Sequence, residues 1–393
     1  MSGQGDVGGH VGASGHAGAG GQGDVGGHAG AGGHGGAAGF AGFGGFWRGV
    51  ALILTLELKQ RVRGVAWYVI LGVSLALVAV VTLGVAVIAG GFGTTGGALY
   101  STVVYFVQLL ASLITPALSG AAVNGEREGG TLATIQVTSV TTGQIVIGKW
   151  LAAWVASLAL LAATSPFLVL ASAFGEVSGA TVLSSLSILT AQLGVFSAIG
   201  VGLSGVIRKP LFSVVVSYLT IAALSLGTLI AFAIAGSVTQ VTVTSTTVEP
   251  VYSADGSTFE CKPGTTTSTY TVPRFDPYWG LLAVNPYVVV ADASYGDFDD
   301  NGNPQDLFGY IALGVRQAQI APETETFTDY CALAVSGFEG DDEPTAEELL
   351  RTGVPSWFIG LALQAGLAAL ALGGAWASTR TPAGSLAKGS RIA

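Results

Sequence analysis

Charge is scarce along this 393-residue chain: Asp, Glu, Lys and Arg make up only 10% of it, while half of its residues are hydrophobic. An ordinary soluble domain carries about a quarter charged residues, so this composition excludes that class and points to the membrane. Histidine does not occur after His34, methionine occurs once, and cysteine occurs only at Cys261 and Cys331. That scarcity excludes the Cys/His clusters of zinc sites. A Gly-x-Ser-x-Gly nucleophile turn is missing as well.

What is present is long and apolar. Six stretches contain no Asp, Glu, Lys, Arg or His and reach the roughly 20 residues that cross a bilayer. They are Val65–Ala89, Ala98–Val123, Trp150–Phe174, Ala180–Ile207, Leu211–Val238 and Trp357–Ala377. Hydrocarbon leaves backbone N–H and C=O groups no outside partner, so each stretch is expected to be helical. The expected fold class is an all-α integral membrane protein. Six transmembrane helices follow an interfacial amphipathic helix over 46–64, and a large outer loop domain over 239–354 lies between helices 5 and 6.

Basic residues predict the orientation. With the N-terminus inside, Arg48, Lys59, Arg61, Arg63, Arg127, Lys149, Arg208, Lys209, Arg380, Lys388 and Arg391 are cytoplasmic, and only Lys262, Arg274, Arg316 and Arg351 are outside. This bias predicts a multi-pass protein of the cytoplasmic membrane with both termini inside. The acidity belongs to the outer domain, where residues 239–354 hold 18 of the 24 acidic residues. The basic inner face suits anionic lipid, and nothing points to nucleic acid. Cys261 and Cys331 share the outer domain, where a disulfide can persist, so a bridge is expected in preference to two free thiols.

Residues 1–45 are rich in Gly and Ala, and the octet Gly3–His10 recurs at Gly21–His28. Having little to bury, this tail is expected to be disordered, and it lacks the pattern of a cleaved signal peptide. His10, His16, His28 and His34 lie in it at spacings that preorganise no metal site. Along 46–64, Trp47, Val50, Leu54 and Leu58 share one helical side, whereas Arg48, Lys59 and Arg63 share another. A helix along the inner interface is expected there, with an extension of the first span as the alternative. Trp279–Ala293 is apolar but too short to cross, which suits a re-entrant or interfacial piece. The acidic run Glu339–Glu348 reads as a solvated face or linker, and 379–393 as a cytoplasmic tail.

No ionisable side chain lies within the six stretches, whereas ion-coupled carriers keep such groups in theirs. The amides of Gln108 and Gln192 are expected to join helix to helix. Gly143-Gln-Ile-Val-Ile-Gly-Lys149 matches seven positions of a phosphate-binding loop, but Trp150 stands where Ser or Thr would hold magnesium. Lys149 therefore reads as an interface anchor. The chain is not expected to be an enzyme, and its energy is expected from a partner.

The entry point for that energy is a charged hinge between the second and third stretches. Gly129-Gly130 ends one helix, and Thr131–Val137 offers a short one. Thr141 and Gln144 have the form of a capping box that starts the next helix. Asn124-Gly-Glu-Arg-Glu-Gly-Gly-Thr-Leu132, with Val137-Thr138 and Ile145-Val-Ile-Gly-Lys149, resembles the cytoplasmic elbow of type-2 ABC transporter permeases. In that family a Glu-Arg-Glu-x-Gly-Thr-Leu segment leads into the coupling helix that docks on an ATPase subunit. The likeness extends over 46–378, although Ala133 and Ser139 depart from the acidic residue and the proline common there.

The resemblance implies the permease subunit of an exporter. Glu126, Arg127, Glu128, Gly130, Thr131, Leu132, Ile135, Thr138, Thr141 and Lys149 would form its coupling elbow. It further implies ATP-Mg on a separate cytoplasmic ATPase, no cofactor in this chain, and pairing with a second copy or a homologous permease. Cargo would meet the walls of spans one, two and five, and charge-free spans lean toward apolar or amphipathic cargo. A reading of another class is a non-transporting membrane protein whose acidic outer domain binds a surface partner or transmits a signal.

Overall fold

The computed structural model describes residues 37–92, 96–128, 140–174, 177–253, 259–261, 264–294, 296–299, 302–336 and 345–380. The His-bearing repeats, the tail after 380 and the first part of the Glu339–Glu348 run lie outside them. Contacts divide the chain into two units, Met1–Gly44 and Gly45–Ala393.

Six helices are long and apolar enough to cross a membrane, one at each expected stretch: Val65–Ile88, Gly97–Arg127, Thr142–Phe174, Gly179–Val206, Pro210–Val238 and Trp357–Thr379. Their elements are α2 (Val65–Phe92), α3 (Gly96–Ser119) continuing into α4 (Asn124–Glu128), α5 (Thr142–Phe174) and α6 (Gly179–Val206). The fifth is α7 (Pro210–Ala222) joined to α8 (Thr228–Val238) by a π turn at Ala223–Gly227. Ahead of them lies α1 (Ala37–Arg63), parted from α2 by Gly64.

Burial is uneven in a way that positions the site. In α6, 72% of the apolar window is buried, against 17% for α2 and for the α7–α8 helix. The centre is thus α6 with α3 and α5, whose Val103, Val104, Val107, Leu160, Leu168, Leu189 and Leu193 are buried. Small residues bring the last apolar helix close to α6, since a Cβ on Gly202 would fall 2.5 Å from Ala371 Cβ. Close backbone approach of this kind replaces the hydrophobic drive that lipid cannot supply.

The helix-to-helix role expected of Gln108 and Gln192 is not what the structure shows. Both are wholly buried, but neither amide has a hydrogen-bond partner among the described residues. Hydroxyl side chains make cross-links instead: Tyr100 Oη with Ser185 Oγ at 2.8 Å, and Thr115 Oγ1 with Ser157 Oγ at 3.1 Å.

The segment between the fifth and sixth apolar helices departs from the all-helical expectation. Strands β1 (Gln240–Val248), β2 (Pro250–Tyr252), β3 (Phe259–Cys261), β4 (Thr266–Pro273) and β5 (Glu325–Asp329) occur there. They form one sheet ordered β4-β1-β5, with β4 antiparallel and β5 parallel to β1, and a separate β2-β3 pair. The cause is local: Thr and Val dominate Gln240–Val248 and Thr266–Pro273, and β-branched residues favour the pleated state. Val243 is buried on one sheet face, whereas Thr242 on the other is exposed. Cys261 and Cys331 are joined by a disulfide, with Cα atoms 5.8 Å apart.

Short helices complete this segment: α9 (Trp279–Ala283), α10 (Pro286–Ala293), α11 (Leu307–Gln317), α12 (Tyr330–Ser336) and α13 (Ala346–Thr352). The last apolar helix is α14 (Trp357–Thr379). The apolar Trp279–Ala293 stretch is therefore two helices with a break at Val284-Asn285. Asn285 caps α10, its Oδ1 accepting from Tyr287 N at 2.9 Å. Its Nδ2 donates to Ser225 O at 2.5 Å in the π turn and to Thr228 Oγ1 at 2.9 Å, while Gln364 of α14 donates to Val284 O at 2.7 Å. Polar groups of two apolar helices thus satisfy the broken turn, as buried non-helical backbone requires.

A buried ion pair fixes the other end of α10. Asp292 Oδ1 is 2.7 Å from Arg316 Nη2 of α11, with side chains 1% and 5% exposed. Asp292 Oδ2 accepts from Ser356 N, Ser356 Oγ and Trp357 N at 2.5, 2.9 and 2.8 Å. Those donors belong to the start of α14, where a carboxylate is favoured by the helix dipole.

Candidate functional site

The hinge is held by a buried cation. Lys149 lies in the second turn of α5, and its side chain is 1% exposed. An ammonium so enclosed is unfavourable unless paired. Its Nζ is bound by Glu57 of α1 and by Glu126 of α4, the latter at 2.6 Å. One cation therefore ties together the helix before the first apolar helix, the hinge, and the start of the third apolar helix.

Neighbouring contacts close the arrangement. Arg61, one turn beyond Glu57, donates from Nη2 to Leu118 O at 2.8 Å near the end of α3. Burial lowers the pKa of its guanidinium from the usual value, and the charge of Glu57 opposes that shift. Asn124 is wholly buried at the start of α4, where its Nδ2 donates to Ile207 O at 3.1 Å and its Oδ1 accepts from Ser204 Oγ at 3.1 Å. Val123 N donates to the same Ser204 Oγ at 2.9 Å. Arg127 reaches Gly205 O at 3.4 Å.

On the far side of Lys149, the capping box at the start of α5 is formed. Thr141 N donates to Gln144 Oε1 at 2.7 Å, and Gln144 N to Thr141 Oγ1 at 3.4 Å. Gln144 Nε2 also donates to Phe46 O at 3.0 Å, which seats α1 against α5. Contact is tight enough that a Cβ on Gly148 would fall 2.7 Å from Ile53 Cβ. The buried stripe of α1 accordingly begins at Val50 and Ile53 and continues through half-buried Glu57 and Arg61. On the apolar side expected from periodicity, Val50 is buried, Leu54 and Leu58 are half-buried and Trp47 is exposed, so that side is packed only in part.

Of the expected elbow residues, Glu126 and Lys149 are brought into direct contact. Arg127 and Thr141 bond to helix ends beside them. Glu128 closes α4, and its side chain lies outside the described residues, as do Gly130, Thr131, Leu132, Ile135 and Thr138. Periodicity missed Glu57 and Arg61. One signal was available, because Glu57 is the sole acidic residue between Phe46 and Gly64. The Gly143–Lys149 stretch is helical, so its backbone N–H groups are not arranged as a phosphate-cradling loop.

A second feature lies among the apolar helices. A groove of about 700 Å³ runs between α2, α3 and α7–α8, lined by Val81, Tyr105, Leu109, Tyr218 and Leu229. Tyr287 of α10 stands in it, stacked on Tyr105 with ring centres 6.1 Å apart. Leu307 and Ile311 of α11 line the groove as well. Its surface is almost wholly apolar, and its polar groups are the hydroxyls of Thr102, Tyr105, Ser112, Tyr218, Ser225 and Tyr287.

The chain matches no protein-family model, and no curated protein is significantly similar to it.

Proposed function

We propose that this chain is the membrane-spanning permease subunit of a type-2 ABC exporter in the cytoplasmic membrane, with both termini inside. ATP-Mg is hydrolysed on a separate cytoplasmic subunit that docks on residues 124–149. The observation that carries this reading is Lys149, enclosed and bound by both Glu57 and Glu126. A force applied to a solvated loop would be lost in loop motion. Applied to this hinge, it is delivered to α1 and α5 through the shared cation, and to α6 through Asn124 and Ser204.

In this reading α1 lies along the inner interface. Its exposed Trp47, Leu52 and Leu56 face the headgroup region, and Arg48, Lys59 and Arg63 meet anionic lipid. The groove beside α2, α3 and α7–α8 carries apolar or amphipathic cargo, and a second copy or a homologous permease covers its open side. Resemblance of the hinge to the family elbow supports ATPase docking.

The test is an affinity pull-down in mild detergent, with Glu126→Lys and Lys149→Glu variants that still insert. Co-purification of an ATPase with the wild type, lost in each single variant, is the expected result. Recovery of no ATPase even after cross-linking at the hinge would end this reading. It would leave a second one, a membrane protein whose 239–354 segment binds a surface partner. The disulfide and the exposed Phe327 and Tyr270 of the sheet favour that alternative.

A further inference from the structure

Three central helices turn polar residues inward at seven-residue spacing. On α3 these are Ser101, Gln108 and Thr115, on α5 Ser157 and Thr164, and on α6 Ser185 and Gln192, all 0% exposed. Residues seven apart stay on nearly one helical face, so each set forms a stripe. The α3 and α5 stripes meet at Thr115–Ser157; Ser185 of the α6 stripe is bonded by Tyr100, beside the α3 stripe, and beyond α3 the N–H of Val123 donates to Ser204 of α6. Links at 100–185 and 123–204 show that α3 and α6 run parallel.

Both glutamines lie between those two links. Gln108 is eight residues beyond Tyr100 and Gln192 seven beyond Ser185. At about 1.5 Å per residue, the two amides stand level to within about 2 Å. Each hydroxyl of the three stripes has a hydrogen-bond partner. The glutamines do not: Oε1 and Nε2 of both are buried without one among the described residues. Val104 and Val107 on α3, and Leu189 and Leu193 on α6, within four residues of the glutamines in sequence, belong to one buried apolar cluster.

An amide buried without a partner is unfavourable, and two at one level compound the problem. The partner must be small, because the site is enclosed, and must both donate and accept. It must also be neutral, since no Asp, Glu, Lys, Arg or His occurs in these stretches to balance an ion. We infer that Gln108 and Gln192 hold an ordered-water site between α3 and α6, in the middle of the apolar helices. Buried waters of this kind make about three hydrogen bonds each to otherwise unsatisfied groups. The site stands whether or not the chain transports anything.

A map of the full chain in lipid nanodiscs at about 2 Å decides it. Expected is density within about 3.2 Å of both amides. Radiolytic hydroxyl labelling gives a second readout, since bound water oxidises adjacent side chains. Labelling at Leu189 and Leu193 should fall several-fold in Gln108→Leu/Gln192→Leu. Amides bonded directly to each other or to backbone with no density between them would overturn the proposal. Equal labelling in wild type and the double variant would do the same. The wild-type map stands even if that variant fails to fold.

Discussion

Lys149 Nζ lies 2.6 Å from Glu126 Oε1, and its side chain is 1% exposed, so an α5 ammonium is sealed under the hinge. Glu57 holds the same nitrogen from α1. Lys149→Met would leave two carboxylates facing each other. Breaking a fully buried pair costs about 3–5 kcal/mol, but Glu57 and Glu126 are 15% and 23% exposed, which admits some water. The expected loss is about 2 kcal/mol, and about 1 kcal/mol for Glu126→Gln, which leaves Glu57 in place. Thermal unfolding of both single variants and the double variant gives the coupling. A coupling near zero would make Glu126 an ordinary solvated loop residue.

Asn285 controls the break between α9 and α10. Its Oδ1 accepts from Tyr287 N, and its Nδ2 donates to Ser225 O and Thr228 Oγ1. Asn285→Asp keeps the cap but puts an acceptor against an acceptor, whereas Asn285→Ala removes both functions. Each should lower stability by about 1–3 kcal/mol, because Ser225 O loses a buried donor. Hydrogen exchange should rise over residues 279–293 more than in α5 or α6. Unchanged exchange there would show that apolar packing alone holds the two helices.

The six apolar helices were legible because charge is excluded from hydrocarbon whatever the neighbours are. The capping box at Thr141 and Gln144 was legible for a similar reason, since its partners are three residues apart. Glu57 was not. Helical periodicity sorts residues by polarity, and the buried stripe of α1 mixes Val50 and Ile53 with Glu57 and Arg61. Those charges are tolerated only because Lys149 and the Leu118 carbonyl arrive from elsewhere in the chain. The Thr-rich strands carried a clear β signal in their composition. It was outweighed by the helical pattern of the rest, which says nothing about a segment between the apolar helices.

The disulfide should matter locally. Cys261 and Cys331 are 70 residues apart in sequence and join β3 to α12. Closing a loop of that size restricts the unfolded segment by about 4 kcal/mol in the chain-entropy account. Cys261→Ser/Cys331→Ser should therefore sensitise the segment to trypsin at Arg274, with the apolar helices unaffected. Proteolysis that spread at the same rate to Arg208 would mean that the segment and the helices unfold as one unit.

Asp306 gives the segment a pH dependence with a definite sign. Its side chain caps α11, with Oδ1 accepting from Gly309 N at 2.7 Å and Oδ2 from Asp297 N at 3.3 Å. Burial raises its pKa from 3.8 to about 6, and the nearby charge of Asp297 adds to that against the backbone donors of Gly309, Asp297 and Phe308. The folded state therefore holds the proton more tightly than the unfolded one. Stability is greatest below the unfolded value, declines as pH rises from 3.8 to about 6, and is level above that. The full change is roughly 3 kcal/mol at most, by the size of the shift. Asp276 works the other way: hydrogen bonding to Arg274 lowers its pKa, so its contribution is lost as pH falls. Amide exchange in α11, followed from pH 4 to pH 7 and corrected for intrinsic rate, should speed up across the lower part of that range. Asp306→Asn still accepts from Gly309 N and should flatten the profile. A slope that survived in Asp306→Asn would have to come from another group.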